Sequence, residues 1–356
     1  MEKVLYIKHA DSTFIRIDQQ ILEKKYRVIT FVINHRGSRL FFVFRLLSLL
    51  SFLIRNVWGS VALFTWFGDY HSALMVIVGK LFKKKTVIFI GGQEAVCYPE
   101  LGKGIWRNRT RACIVAFALK KATFLIPNHF SLMHHRNFYY SEDGKPDGLH
   151  YYISKLSTPI FIIPNGIDTR TYFRDNSIIK NSRRILTVGT TKTVGDFINK
   201  GFDLFVEMAR RNTDLDFTLI GINSDLATLV EKEYGVSKIL NLEIIYSYCP
   251  TEILFYNYNR AKVFVQASIT EGMPNTIGEA MLCECIPVGS NVNGIPDAIG
   301  NTGVIVLHRN IQELEDAVRQ ALLMNTGYKA RERVIEQYSI LNRQNKLLDL
   351  CDKMIG

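Results

Sequence analysis

The sequence predicts an α/β protein built from two doubly wound, Rossmann-like domains that face each other across a central cleft. Three observations support this. Strand-like and helix-like segments alternate from the first residues onward, which is the pattern of a parallel sheet covered by helices on both faces. The alternation is interrupted once, over the polar, aperiodic stretch 174–183, and then resumes. The chain of 356 residues is 47% hydrophobic and 22% charged, enough apolar material for two cores of ordinary size. Domains over 1–175 and 176–330 follow, and the last segment, 331–356, is helical in pattern.

Taken in order, the first series has strand patterns at 4–7, 28–33, 61–66, 86–90, 123–126 and 160–163. Helical patterns lie between them, at about 16–25, 40–56, 71–82, 107–121 and 129–138, and the polar, turn-rich 141–148 reads as a mobile surface loop. The second series has strand patterns at 185–188, 217–220, 242–245, 263–265, 286–288 and 304–306, and the last helical pattern runs over about 328–354. The stretch 40–58 is the one membrane candidate. Its longest uncharged run, 46–54, falls short of the roughly 20 apolar residues a span needs. Arg45, Ser48, Arg55 and Asn56 share one narrow stripe of that helix. The expectation is a helix buried in the domain, with a helix lying in a membrane interface as the alternative.

The net charge of +11 is uneven: residues 1–160 carry 23 Lys and Arg against 10 Asp and Glu, residues 161–356 carry 21 against 23. A basic N-terminal half implies an anionic partner, here an anionic membrane surface or a phosphorylated acceptor. Nucleic acid is not expected, since no recognition helix, zinc-finger spacing or RNA-binding aromatic motif is present. Six cysteines (97, 113, 249, 283, 285, 351) lie in or beside apolar runs without Cys-x-x-Cys, as reduced, buried thiols of a cytoplasmic protein do. Lys3 and Lys8 bracket only 4–7, too short for the apolar core of a signal peptide.

The stretch with the most chemical content is Glu271-Gly-Met-Pro-Asn-Thr-Ile-Gly-Glu279. Glu271 follows a strand pattern, and Glu279 falls one to two turns into the next helix. The first N–H groups of that helix, from Asn275, Thr276 and Ile277, form an anion site between the two carboxylates. A sugar nucleotide fits this arrangement: diphosphate on the helix start, one carboxylate on the ribose, the other near the sugar. A plain surface helix with two solvated glutamates is the alternative.

Glu271-x7-Glu279, followed by Ala-Met, Pro-Val and Asn293-Gly-Ile-Pro-Asp297, resembles the signature of the family 4 retaining glycosyltransferases, which have the GT-B fold. Ile163-Pro-Asn165-Gly166-Ile-Asp168 resembles the segment at that family's domain junction, and Leu186-Thr-Val-Gly189 with Lys200-Gly-Phe resembles its strand–loop and Lys-Gly helix start. The matches span about 163–300; the N-terminal half resembles the family only in layout. The resemblance implies that Lys200 and the amides of 273–276 (Met273, Pro274, Asn275, Thr276, with Gly272 before them) cradle the diphosphate without a metal. It also implies that Glu279 binds the ribose, that Glu271 lies by the donor sugar, and that 331–356 is a helix crossing back to the first domain. Two departures are visible. Thr190 stands where the family usually has Arg, and the 189–200 loop is a few residues longer, so either Lys192 supplies the charge or the loop orders on binding. Glu284 stands where the family commonly has Gly.

On the acceptor side, the loops Trp66-Phe-Gly-Asp69-Tyr-His71 and Gly91-Gly-Gln-Glu94 follow the third and fourth strand patterns and open at the carboxyl edge. Glu94 is the candidate base, with His71 and Asp69 as partners; turn chemistry, with Asp69 as a helix cap, is the alternative. Lys83–Lys85, Lys103, Arg107, Arg109 and Arg111 form a basic set suited to anionic lipid or to plain solvation. Asp214-Leu-Asp216 precedes a strand and reads as a solvated turn, so no metal site is expected. The function expected from resemblance is a metal-independent, retaining transfer from a UDP- or GDP-sugar to a lipid-linked or saccharide acceptor, at the cytoplasmic membrane face. A soluble small-molecule transferase and a non-catalytic nucleotide-binding subunit are the alternatives.

Overall fold

A computed structural model describes residues 1–9, 12–33, 38–246 and 249–355. The N-terminal half runs β1 (Lys3–Lys8), α1 (Thr13–Glu23), β2 (Arg27–Val32), α2 (Arg39–Asn56), β3 (Ser60–Trp66), α3 (Tyr70–Leu81), β4 (Lys85–Ile90), α4 (Arg109–Lys121), β5 (Phe124–Pro127), β6 (His135–Asn137), β7 (Lys145–Asp147) and α5 (Leu149–Tyr152). The C-terminal half runs β8 (Asn181–Thr191), α6 (Val194–Asn199), α7 (Phe202–Arg211), β9 (Asp216–Ile222), α8 (Ala227–Tyr234), β10 (Leu242–Tyr246), α9 (Thr251–Arg260), β11 (Ala261–Gln266), α10 (Asn275–Leu282), β12 (Ile286–Ser290), α11 (Ile295–Ile299), β13 (Val304–Val306), α12 (Ile311–Leu323), α13 (Gly327–Tyr338) and α14 (Ile340–Ile355).

Two parallel sheets result, ordered β2-β1-β3-β4-β5 and β10-β9-β8-β11-β12-β13. In each, the first strand lies inside the sheet and the order reverses beside it, between β1 and β3 and between β8 and β11. Such switch points open a crevice at the carboxyl ends of the strands, where ligands bind in open α/β sheets. The strand period of two divides the N-terminal core. Val4, Tyr6, Phe64 and Phe89 pack on one face, while Leu5, Ile7, Leu63 and Ile88 pack on the other.

The first of those faces is closed by the end of the chain. Leu347, Leu350, Cys351 and Met354 of α14 complete the core formed by Ile15, Ile21 and Leu22 of α1. Arg343 anchors this return. Its guanidinium donates to both carboxylate oxygens of Asp18, at 2.5 and 2.6 Å, and to the carbonyls of Ile163 and Pro164. Trp66 Nε1 donates to the same carboxylate at 2.9 Å, so this buried ion pair has the extra hydrogen bonds that burial demands.

Several expectations are corrected. No helix forms over 129–138: the His129 side chain caps a single turn at Phe130–Leu132, and His135–Asn137 pairs antiparallel with β7. The expected loop at 141–148 therefore contains a strand, and its Asp147 is buried, accepting from the Tyr98 and Tyr152 hydroxyls. Residues 160–163 run beside β5 through one bridge, Leu125–Ile160, rather than as a full strand. The terminal helical pattern is two helices, broken at Ser339. Cys113 is exposed, unlike Cys249, Cys283, Cys285 and Cys351. Finally, α2 is not buried on all sides: Leu40, Phe44, Leu47, Ile54 and the following Trp58 face outward.

Candidate functional site

The C-terminal wall of the cleft is built at the ends of β8 and β11. Lys200 ends α6, and Gly201 follows at φ +71°, a turn in which a Cβ would collide with Ala267 at the end of β11. The close approach is stitched by Ile269 N–H donating to the Asn199 carbonyl at 2.8 Å. It brings the Lys200 ammonium onto the Glu271 carboxylate as an ion pair. Glu271 is further held by its N–H on Asn293 Oδ1 at 3.2 Å. Gly189 lies against this lysine, since a Cβ there would press within 3.2 Å of Lys200 Cδ and the Phe202 ring.

Beyond Glu271, Gly272-Met273-Pro274 leads into α10, which starts at Asn275 without a side-chain cap, leaving its first N–H groups for an anion. Asn165 steadies this start, donating to the Met273 carbonyl at 3.2 Å and to Asn275 Oδ1 at 3.1 Å. The Thr276 hydroxyl donates to Gln266 Oε1 at 2.9 Å. One turn on, Glu279 accepts from the Tyr258 hydroxyl at 2.9 Å, and burial pushes its carboxyl up to about 7 despite that bond. Gly166 does not face the cleft: a Cβ there would meet Ile340 Cα at 2.9 Å, so it serves the packing of α14.

The long 189–200 loop is ordered as α6. Its Thr193–Asp196 capping box and an ion pair from Asp196 to Lys103 tie it to the opposite half. Thr190 and the exposed Lys192 line the cleft beside Lys200, in a cavity of about 770 Å³ that also takes in Glu271, Met273–Thr276 and Glu279. That volume suits a nucleotide-sized ligand. Glu284 has φ +62°, a left-handed position that favours glycine.

The N-terminal wall is assembled from the loops after β3 and β4. Glu94 is completely buried; its two oxygens accept from the N–H groups of Gly68 (2.7 Å) and Gly92 (3.3 Å), and burial pushes its carboxyl up to about 7. Asp69 caps α3 and accepts from Arg111 Nη2 at 2.6 Å; burial raises its carboxyl, but Arg111 holds it below the ordinary value. His71 is buried, with Nε2 3.1 Å from the Trp66 carbonyl. All three line a second cavity, of about 550 Å³, with His9, Gln93 and Arg111. Phe67, at φ +67°, lines both cavities. A non-glycine residue in that conformation stores strain of the kind found at ligand sites. The walls touch where a Cβ on Gly272 would sit 2.8 Å from both the Gly91 carbonyl and Asn128 Oδ1.

Sequence reasoning missed Phe67, Tyr258 and Asn293, whose roles depend on contacts distant along the chain. It also misjudged part of the basic set. Lys103 is engaged by Asp196 and Arg111 by Asp69, so neither ammonium nor guanidinium is free for a lipid. Asp214 pairs with Arg319 on the surface.

Residues 182–324 match the family model described as glycosyl transferases group 1. That match covers most of the second sheet and its helices, from β8 to α12. A 75-residue segment is 35% identical to O-antigen chain mannosyltransferase B of Escherichia coli, covering 21% of this chain and a fifth (20%) of that protein's length. Across the whole chain, the fold is that of GT-B glycosyltransferases. Sucrose-phosphate synthase from Thermosynechococcus elongatus superposes with a TM-score of 0.76 at 15% identity, covering 99% of each chain. Anabaena HepE in complex with UDP-glucose does so with a TM-score of 0.74 at 12% identity, again over 99% of each. The matched segment contains Lys200, Glu271 and Glu279, the residues that converge on the larger cavity.

Proposed function

We propose that this protein transfers a sugar from a nucleoside diphosphate sugar, UDP- or GDP-linked, to a lipid-linked or saccharide acceptor at the cytoplasmic face of a membrane. The convergence of Lys200, Glu271, Glu279 and the start of α10 on one cavity carries this reading. Departure of a nucleoside diphosphate builds negative charge on its phosphates, and preorganised cations and N–H groups stabilise such charge where it develops. Lys200, Lys192 and the α10 amides supply that stabilisation without a metal ion, with Thr190 contributing a neutral hydroxyl where relatives of the resembled family carry a cation.

Glu279 accepts from the ribose hydroxyls in its ionised form. Glu271 exchanges its contact with Lys200 for the donor sugar once the diphosphate claims the lysine. Retention of anomeric configuration follows if the acceptor attacks on the face the diphosphate leaves, the leaving phosphate assisting that attack while ionised Glu94 takes the acceptor proton. The acceptor sits in the smaller cavity, where Glu94 orients its hydroxyl. The bound HepE structure, which holds UDP-glucose, lends support by fold only.

The experiment is donor turnover by the purified protein in excess EDTA, followed by product configuration. Hydrolysis of a UDP- or GDP-sugar with retained configuration supports the reading. Dependence on added magnesium or manganese removes the metal-free cradle, and no turnover with any donor favours a nucleotide-binding subunit instead.

A further inference from the structure

The outward face of α2 has a pattern that a solvated helix does not need. Its inner residues, Leu49 and Leu53, are fully buried, as is Val57 just beyond its end. On the opposite side, Leu40, Phe44, Leu47, Ser51, Ile54 and Trp58 recur four, three, four, three and four residues apart, which is one continuous stripe. Five of these six are large apolar side chains, and Leu40, Phe44 and Trp58 are 81%, 65% and 67% exposed. A surface helix of a globular protein is polar on that side. No helix among the described residues is long and apolar enough to cross a membrane.

The neighbouring helices extend this face. An apolar groove of about 480 Å³ runs between α2, α3 and α4, lined by Leu46, Leu50, Leu74, Ile77 and Phe117. Ile77, Leu81 and Phe117 project outward around it. Apart from Arg111, which pairs with Asp69 at the cap of α3, the charge is of one sign: α2, α3 and α4 carry seven further Lys or Arg and no Asp or Glu. Arg55, Lys80, Lys120 and Lys121 border the apolar surface at the ends of the three helices. The face is also continuous with the smaller cavity of the cleft. Tyr70 lines both the groove and that cavity, and Phe42 of α2 stacks edge-on against it, ring centroids 5.3 Å apart.

We infer that the α2–α3–α4 face docks on an anionic phospholipid bilayer, with α2 lying in the interface plane and the groove accepting a lipid chain. The apolar stripe enters the boundary between headgroups and acyl chains, and the acid-free basic border faces lipid phosphates. A protein partner would bring acidic side chains to such a border; a bilayer provides anionic headgroups around an apolar interior, matching both features at once. Docking brings the mouth of the acceptor cavity to headgroup level. The inference rests on the reading that the acceptor is presented at a membrane, and it identifies the surface involved.

The test is cosedimentation of the full chain with phosphatidylcholine vesicles, with and without phosphatidylglycerol, needing neither donor nor acceptor. Wild type is expected to bind the anionic vesicles and to be released as salt shortens the Debye length, about 8 Å at physiological ionic strength. Trp58 emission should shift to the blue, while Trp58→Phe removes the shift. Phe44→Glu with Leu47→Glu should lower partitioning at least ~100-fold at unchanged Tm, since each apolar side chain withdrawn from lipid is worth about a factor of ten. Lys120→Glu with Lys121→Glu should abolish the preference for phosphatidylglycerol. Absence of vesicle binding, equal binding by the glutamate variants, or a wild-type dimer that Phe44→Glu converts to monomer overturns the inference. Vesicle binding combined with transfer only to soluble acceptors supports docking and overturns the lipid-linked acceptor instead.

Discussion

The two walls of the cleft are made differently. The C-terminal wall concentrates its chemistry in two short stretches, 189–200 and 271–279, folded onto each other by a tight turn at Gly201. The N-terminal wall gathers single residues from loops after β3 and β4, held by backbone contacts to a carboxylate, Glu94, that is itself completely buried. On the proposed reading, the wall of local motifs meets a ligand with fixed parts, a diphosphate and a ribose, by fixed spacings. A wall of dispersed loops can change residue by residue, which suits an acceptor that differs among enzymes of one fold.

If the walls divide the work in this way, substitutions on each should fail differently. The largest effect is expected from Glu94→Gln, which should lower transfer by about 10²–10⁴-fold with donor hydrolysis near wild type. Hydrolysis and transfer rates measured together decide it; equal loss of both would place Glu94 in donor binding or in folding. Lys200→Ala should lower transfer and hydrolysis alike, by roughly 10²–10³-fold, as loss of one preorganised donor does. Loss of transfer alone would erase the distinction between the walls.

Glu279→Gln should weaken nucleoside diphosphate binding about ten-fold or more, the worth of a charge-assisted hydrogen bond of roughly 1.5–3 kcal/mol. Because burial raises Glu279 to about 7, wild-type affinity should climb as pH rises through 7 and the carboxylate forms, and the Gln variant should lose that increment. Calorimetry at pH 6 and 8 measures both.

The smallest effect is on stability. Glu94 is raised from its ordinary value of 4.5 to about 7 in the folded protein. The folded state therefore holds the proton more tightly than the unfolded state. That contribution is complete below about 4.5 and is lost as pH rises through about 7. Tm should fall over this window in wild type and fall less in Glu94→Gln. Equal slopes would show that Glu94 titrates normally.

The same difference between the walls explains what could be read from the sequence. Both sheets, with their alternating strands and helices, follow from period and order, and Glu271, Lys200 and Glu279 meet because each sits at a fixed offset from a strand end. The loops of Asp69, His71 and Glu94 could be placed at the carboxyl edge, but not the burial of Glu94 or the capture of Asp69 by Arg111, which depend on α4. Tyr258 meets Glu279 only through packing of α9 on α10, and the strain at Phe67 has no signature in composition. The helix expected at 129–138 failed because His129 and Asn137 spend their side chains on local and cross-domain hydrogen bonds. On α2 the apolar residues surround most of the helix, which reads as burial; only the fold shows which of its two apolar sides has a neighbour.

The central claim, that the C-terminal wall holds a nucleoside diphosphate without a metal, is tested most directly by thermal stabilisation in EDTA. Wild type and Lys200→Ala are melted with saturating UDP, GDP or ADP. The account predicts that UDP or GDP raises the wild-type Tm, a ligand at 100 times its Kd adding about 2.7 kcal/mol, and that the Lys200→Ala shift is much smaller. No shift with any nucleotide in wild type, or an undiminished shift in Lys200→Ala, would contradict it.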